Sequence, residues 1–192
     1  TGTSMGGILG ALYAVGYSGN EIEQIAKGID WDQLFSNQVP LQALSMEEKE
    51  QYSRFAIELP YINNKIKLQT GVIKGLELNL TISEIFFHVS NIRDFSQFKI
   101  PFKCMATDLE TGNLVVLDTG NITAALRATM AIPSVFSAVN IGDKKLVDGG
   151  VVRNFPVKNV KEMGADIVIG SNVSGGLSVK EKILNPIDVI LQ

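Results

Sequence analysis

Cysteine and histidine are nearly missing from this chain. One cysteine, Cys104, and one histidine, His88, occur in 192 residues. A single thiol cannot close an internal disulfide, so cysteine usage points to neither an oxidising nor a reducing compartment. One Cys and one His also leave no protein-only Cys/His zinc site. A basic cluster is lacking too. Lys and Arg number 17 against 20 Asp and Glu, for a net charge of -3, which argues against nucleic acid as a partner. No run of 18 apolar residues occurs, so no stretch is long enough to cross a membrane as a helix. Internal repeats and low-complexity segments are absent as well.

What is present is a chain 45% hydrophobic, enough for one domain over residues 1–192 with a sizeable core. Gly6 to Gly16 reads as a buried helix, small and apolar on all sides. Ser18 with Glu21 three places on is a capping box, followed by Ile22, Ile25, Ala26 and Ile29 at helical spacing. Trp31 to Asn37 reads as a short turn with Trp31 as a packing anchor. Residues 41–51 read as a loop or short helix. Residues 53–59 and Lys65 to Gln69 read as strands of a hairpin around Asn63-Asn64. A helix is expected from Leu76 to about Val89, and a buried strand over Ile100 to Thr107. Asp108 to Asn113 turns the chain into a strand at Leu114 to Leu117. A helix follows from Ile122 to Met130, stopped by Pro133. Gly142-Asp143 leads into a strand at Lys144 to Val147, Val157 to Met163 reads as a helix, Ala165 to Ser171 as a clean buried strand, and residues 180–191 as a tail helix. Helices alternating with buried β-branched strands predict an α/β layer fold with a largely parallel sheet.

The chemistry gathers at two glycine-flanked strand ends. Gly2, Ser4 and Gly6 fit G-x-S-x-G, the spacing of a nucleophile elbow, in which a serine is pushed out on a tight strand-to-helix turn. Both glycines are expected where a Cβ would clash. The helix that follows points its positive end at the serine and offers the Met5 N–H to developing negative charge. Alone, the five residues fit a glycine-rich packing turn equally well. A serine hydroxyl needs a base. His88 lies inside the apolar run Ile85 to Val89, with no glycine turn around it, and reads as a surface or core histidine. The better base is a carboxylate, Asp148, whose neighbours Gly149 and Gly150 let the backbone bend close to the serine. A buried Asp gains basicity through a raised pKa. On its own, Asp-Gly-Gly is an ordinary turn.

Taken together, the stretches Gly2 to Gly7, Ala106 to Gly112, Ala128 to Phe136, Leu146 to Val151 with Asn154 and Pro156, and Met163 to Asp166 resemble the patatin-like phospholipase family, most of all its bacterial branch. The resemblance covers nearly the whole chain. It implies a three-layer α/β sandwich with a mainly parallel central sheet, a serine acyl hydrolase acting on lipid esters, Ser4 as nucleophile, Asp148 as base and the Met5 N–H as an oxyanion donor. It implies no metal and no cofactor, and contact with a membrane surface through the lipid substrate. Ile8, Leu9, Ile132, Val135 and Phe136 enter as acyl-pocket lining, with plain core the commoner role for each. The family also carries a glycine-rich loop before the elbow that supplies most of the oxyanion hole. A strand and such a loop, about 30 to 40 residues before Ser4, are therefore expected upstream of this piece, together with any targeting signal. Without that loop, residues 1–192 alone are expected to be nearly inactive. Two other readings use the same residues: a thioesterase or general carboxylesterase, and a catalytically dead domain that binds lipid or a protein.

Overall fold

The computed structural model describes residues 1–34, 61–62, 65–66, 71–73 and 75–173. The readings made for residues 35–37, 41–51, 53–59 and 180–191 lie outside them. The chain enters on a two-residue strand, β1 (Gly2–Thr3), and passes at once into helix α1 (Met5–Val15). Small residues let α1 pack closely. A Cβ on Gly7 would come within 2.9 Å of the Thr129 methyl, and one on Gly10 within 3.3 Å of the Phe102 ring. The helix is not buried all round, since Leu9 and Tyr13 face outward. Gly16, at φ 118°, ends it in the left-handed conformation that glycine adopts without steric cost.

Helix α2 (Gly19–Gly28) starts in the expected capping box. Glu21 accepts from the Ser18 N–H at 2.7 Å, and the Ser18 hydroxyl accepts from the Glu21 N–H at 3.4 Å. None of its residues is fully buried, so the cap matters locally. Replacing Ser18 by Ala is expected to cost α2 about 1 kcal/mol. Hydrogen exchange at α2 amides should then quicken about fivefold while the core amides stay unchanged; equal exchange at α2 would refute the role given to the cap. A short helix α3 (Trp31–Leu34) follows, and the Trp31 indole donates to the Ala26 carbonyl at 2.9 Å, anchoring it to α2.

Strands β2 (Tyr61–Ile62) and β3 (Lys65–Ile66) pair antiparallel, and β4 (Gly71–Ile73) runs parallel to β7 (Ser134–Phe136). The helix expected from Leu76 splits into α4 (Leu76–Ile85) and a 3-10 turn at Phe87–Val89. Asp94 caps a second 3-10 turn, Phe95–Gln97, accepting from the Ser96 N–H at 2.9 Å. The remaining elements are β5 (Cys104–Asp108), β6 (Leu114–Leu117), α5 (Ile122–Thr129), β8 (Val139–Ile141), β9 (Lys144–Asp148), α6 (Gly150–Arg153) and α7 (Val157–Glu162).

The fold is α/β, and β5 is its axis. Every residue of β5 is buried. On one edge it pairs with β6 over Cys104–Thr107. On the other edge it pairs first with β1, at Cys104 and Met105, and then with β9, at Ala106 to Asp108. The described sheet is mixed rather than mainly parallel: β1 runs parallel to β5, while β6 and β9 run antiparallel to it and β8 antiparallel to β9. The turns at Asp108–Asn113 and Gly142–Asp143 explain two of these pairings, because a crossover between parallel neighbours needs a dozen or more residues.

Alternate residues of β5 face opposite layers. Cys104 points to α1 and α5: its Cβ lies 3.6 Å from where a Gly7 Cβ would stand, and its thiol lies 3.8 Å from the Ala125 carbonyl. Burial pushes that thiol up to about 12, so it stays protonated and inert. Met105 points to the other side, under Gly149 at the start of α6. Helices thus flank both faces of the sheet, over a core that includes the fully buried Phe86, Phe95, Phe102 and Phe136. Each such ring contributes about 1.5–3 kcal/mol relative to an exposed one.

One expected strand does not form. Residues 165–171 hold no ladder, and Ile167 and Ile169 are 83% and 95% exposed. An apolar, β-branched run becomes a strand only where its N–H and C=O groups meet a partner edge. Among the described residues no strand pairs with it.

Candidate active site

Ser4 stands between β1 and α1 with φ 55° and ψ -129°. Among the described residues only Ser4 and Ser134 combine a side chain with a positive φ. Such a conformation costs of order 1–3 kcal/mol and persists only where the surroundings impose it. Gly2 is one cause. The chain folds back so tightly that a Cβ on Gly2 would land on the carbonyl group of Gly6. The expected clash at Gly6 is not found: a Cβ there would meet nothing within 4 Å. The two glycines therefore differ in kind. Gly2 permits the turn, whereas Gly6 lies exposed beside the serine with open space before it.

Asp148 ends β9 and is 5% exposed. The sheet brings it to Ser4. β1 and β9 share one edge of β5 and run in opposite directions, so their C-terminal ends meet nose to nose. Thr3 stands opposite Met105, and Asp148 stands opposite the very next residue, Ala106. The Ser4 side chain lies near enough to the Asp148 carboxyl to favour its ionised form, and the Gly150 N–H donates to Oδ1 at 2.7 Å. The backbone is held as well, the Asp148 N–H donating to the Ala131 carbonyl at 2.9 Å. Burial raises the carboxyl above its ordinary 3.8, and the nearby Ser4 side chain and the Gly150 N–H oppose the rise.

The glycines after Asp148 have distinct work. A Cβ on Gly149 would strike the Met105 carbonyl, so only glycine lets the chain cross β5 there. At Gly150 a Cβ would come within 3.0 Å of Asp148 Oδ1 and 3.3 Å of Asn154 Oδ1. The elbow and this turn are also tied together, since the Thr3 hydroxyl donates to the Arg153 carbonyl at 3.0 Å at the end of α6. Met5 opens α1, and the first N–H groups of a helix have no intrahelical acceptor. The Ser4 carbonyl instead takes the N–H groups of Gly7, at 2.9 Å, and Ile8, at 3.4 Å.

His88 is excluded from this site. Its ring meets Tyr17 edge-on, centroids 5.6 Å apart, just beyond the C-terminal end of α1. Ser4 is at the other end of that helix, whose 11 residues span about 16 Å at 1.5 Å per residue. Of the apolar residues considered for an acyl pocket, Phe136 is core, 1% exposed beneath the Arg127 guanidinium. Ile8, Ile132 and Val135 are partly buried against that core, and Leu9 is exposed. Thr3 and Thr129 had not been singled out by the sequence, because a threonine in a strand or helix carries no local sign of a distant partner. Among the described residues no three His, Cys, Asp or Glu gather as a metal cluster, and no helix is long and apolar enough to cross a membrane.

Comparison with known proteins gives the family. The family model of patatin-like phospholipases matches residues 1–161. An uncharacterized NTE family protein of Mycobacterium tuberculosis is 25% identical over 174 residues, which cover 91% of this chain and 40% of that protein. Lysophospholipase NTE1 of Debaryomyces hansenii is 28% identical over 172 residues, covering 90% of this chain and 10% of that protein. The uncharacterized protein YqhO of Bacillus subtilis is 27% identical over 172 residues, covering 81% of this chain and 54% of its own. The chain thus spans at most about half the length of these relatives. The matched region takes in both strand ends that meet on β5, and the chain belongs to the patatin-like phospholipase family.

Proposed function

We propose that this chain is the catalytic core of a serine acyl hydrolase that cleaves carboxylic esters of lipids, of the phospholipase A or lysophospholipase type, through a Ser4–Asp148 dyad. The reading rests on one observation above all: a strained, half-buried serine brought by the strand register beside a buried carboxylate of raised pKa. Family membership and a relative named as a lysophospholipase favour a lipid ester as the substrate.

In the proposed reaction Asp148 accepts the Ser4 proton as the serine oxygen attacks the ester carbonyl. The tetrahedral oxyanion lies at the N-terminus of α1, where the Met5 N–H and the helix dipole stabilise it. Collapse breaks the ester bond, and the departing alcohol takes the proton from Asp148. Water then gives a proton to Asp148 and adds to the acyl-serine. The fatty acid leaves and the proton returns to Ser4. A fluorophosphonate probe tests the nucleophile in the whole protein. Labelling at Ser4 that vanishes in Asp148→Ala supports the dyad, whereas an unlabelled wild type favours a binding domain. Product analysis over phospholipids, simple esters and thioesters then tests the substrate class.

The base must be ionised to act, and burial disfavours its ionised form. The acid limb of kcat/KM should therefore rise with pH through an apparent pKa above the ordinary aspartate value of 3.8, and it should disappear in the residual activity of Asp148→Asn. A limb at or below the ordinary value in wild type would contradict a buried carboxylate base.

A further inference from the structure

We infer that Thr129 is the positioning residue that holds the nucleophile elbow in its strained shape; this rests on the reading of Ser4 as nucleophile. The argument starts from the ladder between β1 and β5. The Gly2 N–H donates to the Lys103 carbonyl at 3.2 Å. In a parallel pair the next bond from the same strand lies two residues on, which here would join the Ser4 N–H to the Met105 carbonyl. The elbow forbids it, because Ser4 has already turned out of the sheet. Met105 is fully buried and Ser4 half-buried, and an unpaired amide or carbonyl out of water is costly. The Thr129 hydroxyl fills the break. It accepts the Ser4 N–H at 3.0 Å and donates to the Met105 carbonyl at 2.5 Å.

This is not what a helical threonine ordinarily does. Its hydroxyl usually returns to the carbonyl one turn back in its own helix. Thr129 is the last residue of α5, it is completely buried, and its hydroxyl spends both bonds across the layers. Its methyl at the same time closes against Gly7, in the first turn of the helix that Ser4 caps. The hydroxyl carries the positioning: its bond to the Ser4 N–H sets where the strand stops, while the methyl fills the space beside α1.

The test compares Thr129→Val, which keeps the methyl and volume but removes the hydroxyl, with Thr129→Ser, which keeps the hydroxyl. The readouts on the whole protein are the rate of fluorophosphonate labelling at Ser4, kcat and KM on a soluble ester, and a thermal melt. Thr129→Val should lower labelling and kcat by about 10- to 100-fold, the cost of misplacing a reacting atom by a fraction of an ångström to an ångström, with KM within about threefold. Thr129→Ser should restore both rates to within about threefold of wild type. Labelling of folded Thr129→Val at the wild-type rate would overturn the inference. So would a loss in Thr129→Ser as large as in Thr129→Val, which would assign the effect to packing. Should Thr129→Val melt below the assay temperature, Thr129→Cys serves in its place. It lacks the methyl, as Thr129→Ser does, and its thiol bonds weakly, so labelling should fall about tenfold below Thr129→Ser, and a rate equal to that of Thr129→Ser would again overturn the role. An unlabelled wild type would instead refute the nucleophile itself, and this role with it.

Discussion

Asp148→Asn should lower kcat on a lipid ester by about 10⁴, because the amide keeps the shape of the carboxylate but cannot take the Ser4 proton. Ser4→Ala should cost as much, and the double substitution little more than either alone, as the proposed dyad requires of two groups that work as a unit. The sheet supplies the reason for so tight a coupling. The two residues end strands that abut along one edge of β5, next to Met105 and Ala106, and neither can move without shifting a ladder. Misfolding would not account for the loss. The folded state holds the Asp148 carboxyl above its ordinary 3.8, so the native protein binds that proton more tightly than the unfolded chain does. The resulting stabilisation is complete below the ordinary value and is lost as pH rises through the raised one. At neutral pH the ionised carboxylate is therefore a burden on stability, which a neutral amide in the same place removes. The thermal midpoint of Asp148→Asn at pH 7 should be no lower than wild type. Asp148→Asn retaining more than about 1% of wild-type kcat would show that another group serves as base.

The second large effect separates two glycines that the G-x-S-x-G spacing treats alike. Gly2→Ala drives a Cβ into the backbone of Gly6 and Gly7, with no flexible side chain to yield. The elbow must open or β1 must leave β5. Overpacking against rigid backbone is expected to cost about 3–4 kcal/mol, which lowers the thermal midpoint by about 10 °C in a domain of this size, and Ser4 labelling should be lost with it. Gly6→Ala meets open space instead. It replaces glycine in the first turn of α1 by the best helix former, so stability should hold or rise by up to about 1 kcal/mol. Urea denaturation of the pair decides the matter. Equal destabilisation would mean that the turn at Ser4 is looser than its backbone angles imply.

Much of the outline was readable from local signals, because those signals act over a few residues. The Ser18–Glu21 box starts α2, Gly16 ends α1, and the turn at Gly142-Asp143 precedes β9, since capping and turn chemistry depend on neighbours in the chain. Apolar run length likewise marked β5, β6 and α5. The two glycine-flanked strand ends at Ser4 and Asp148 were visible for the same reason: a sharp turn at a strand end demands glycine wherever the sequence places it. The sequence could also dismiss His88, whose surroundings carried no such turn.

What lay beyond it was everything that depends on which edges meet. Ala165 to Ser171 reads as a buried strand, yet exposes Ile167 and Ile169, because hydrophobic patterning names a strand without supplying its partner. Strand direction was misjudged for the same cause: alternation of helices and strands suggested parallel pairing, while two short turns and the abutment of β9 against β1 made the sheet mixed. Gly6 matched a motif but not the steric need attached to it. Thr129 was part of a quoted stretch without a role, for its importance arises where a broken ladder bond between residues 4 and 105 comes within reach of a hydroxyl 125 positions away. The sequence by itself determined the turns, the caps and the two glycine-flanked strand ends that carry Ser4 and Asp148, since each is set by short-range sterics and hydrogen bonding. Only the tertiary structure decided that those side chains face each other, because their meeting is a matter of register on a shared central strand, and register is set by packing across the whole sheet.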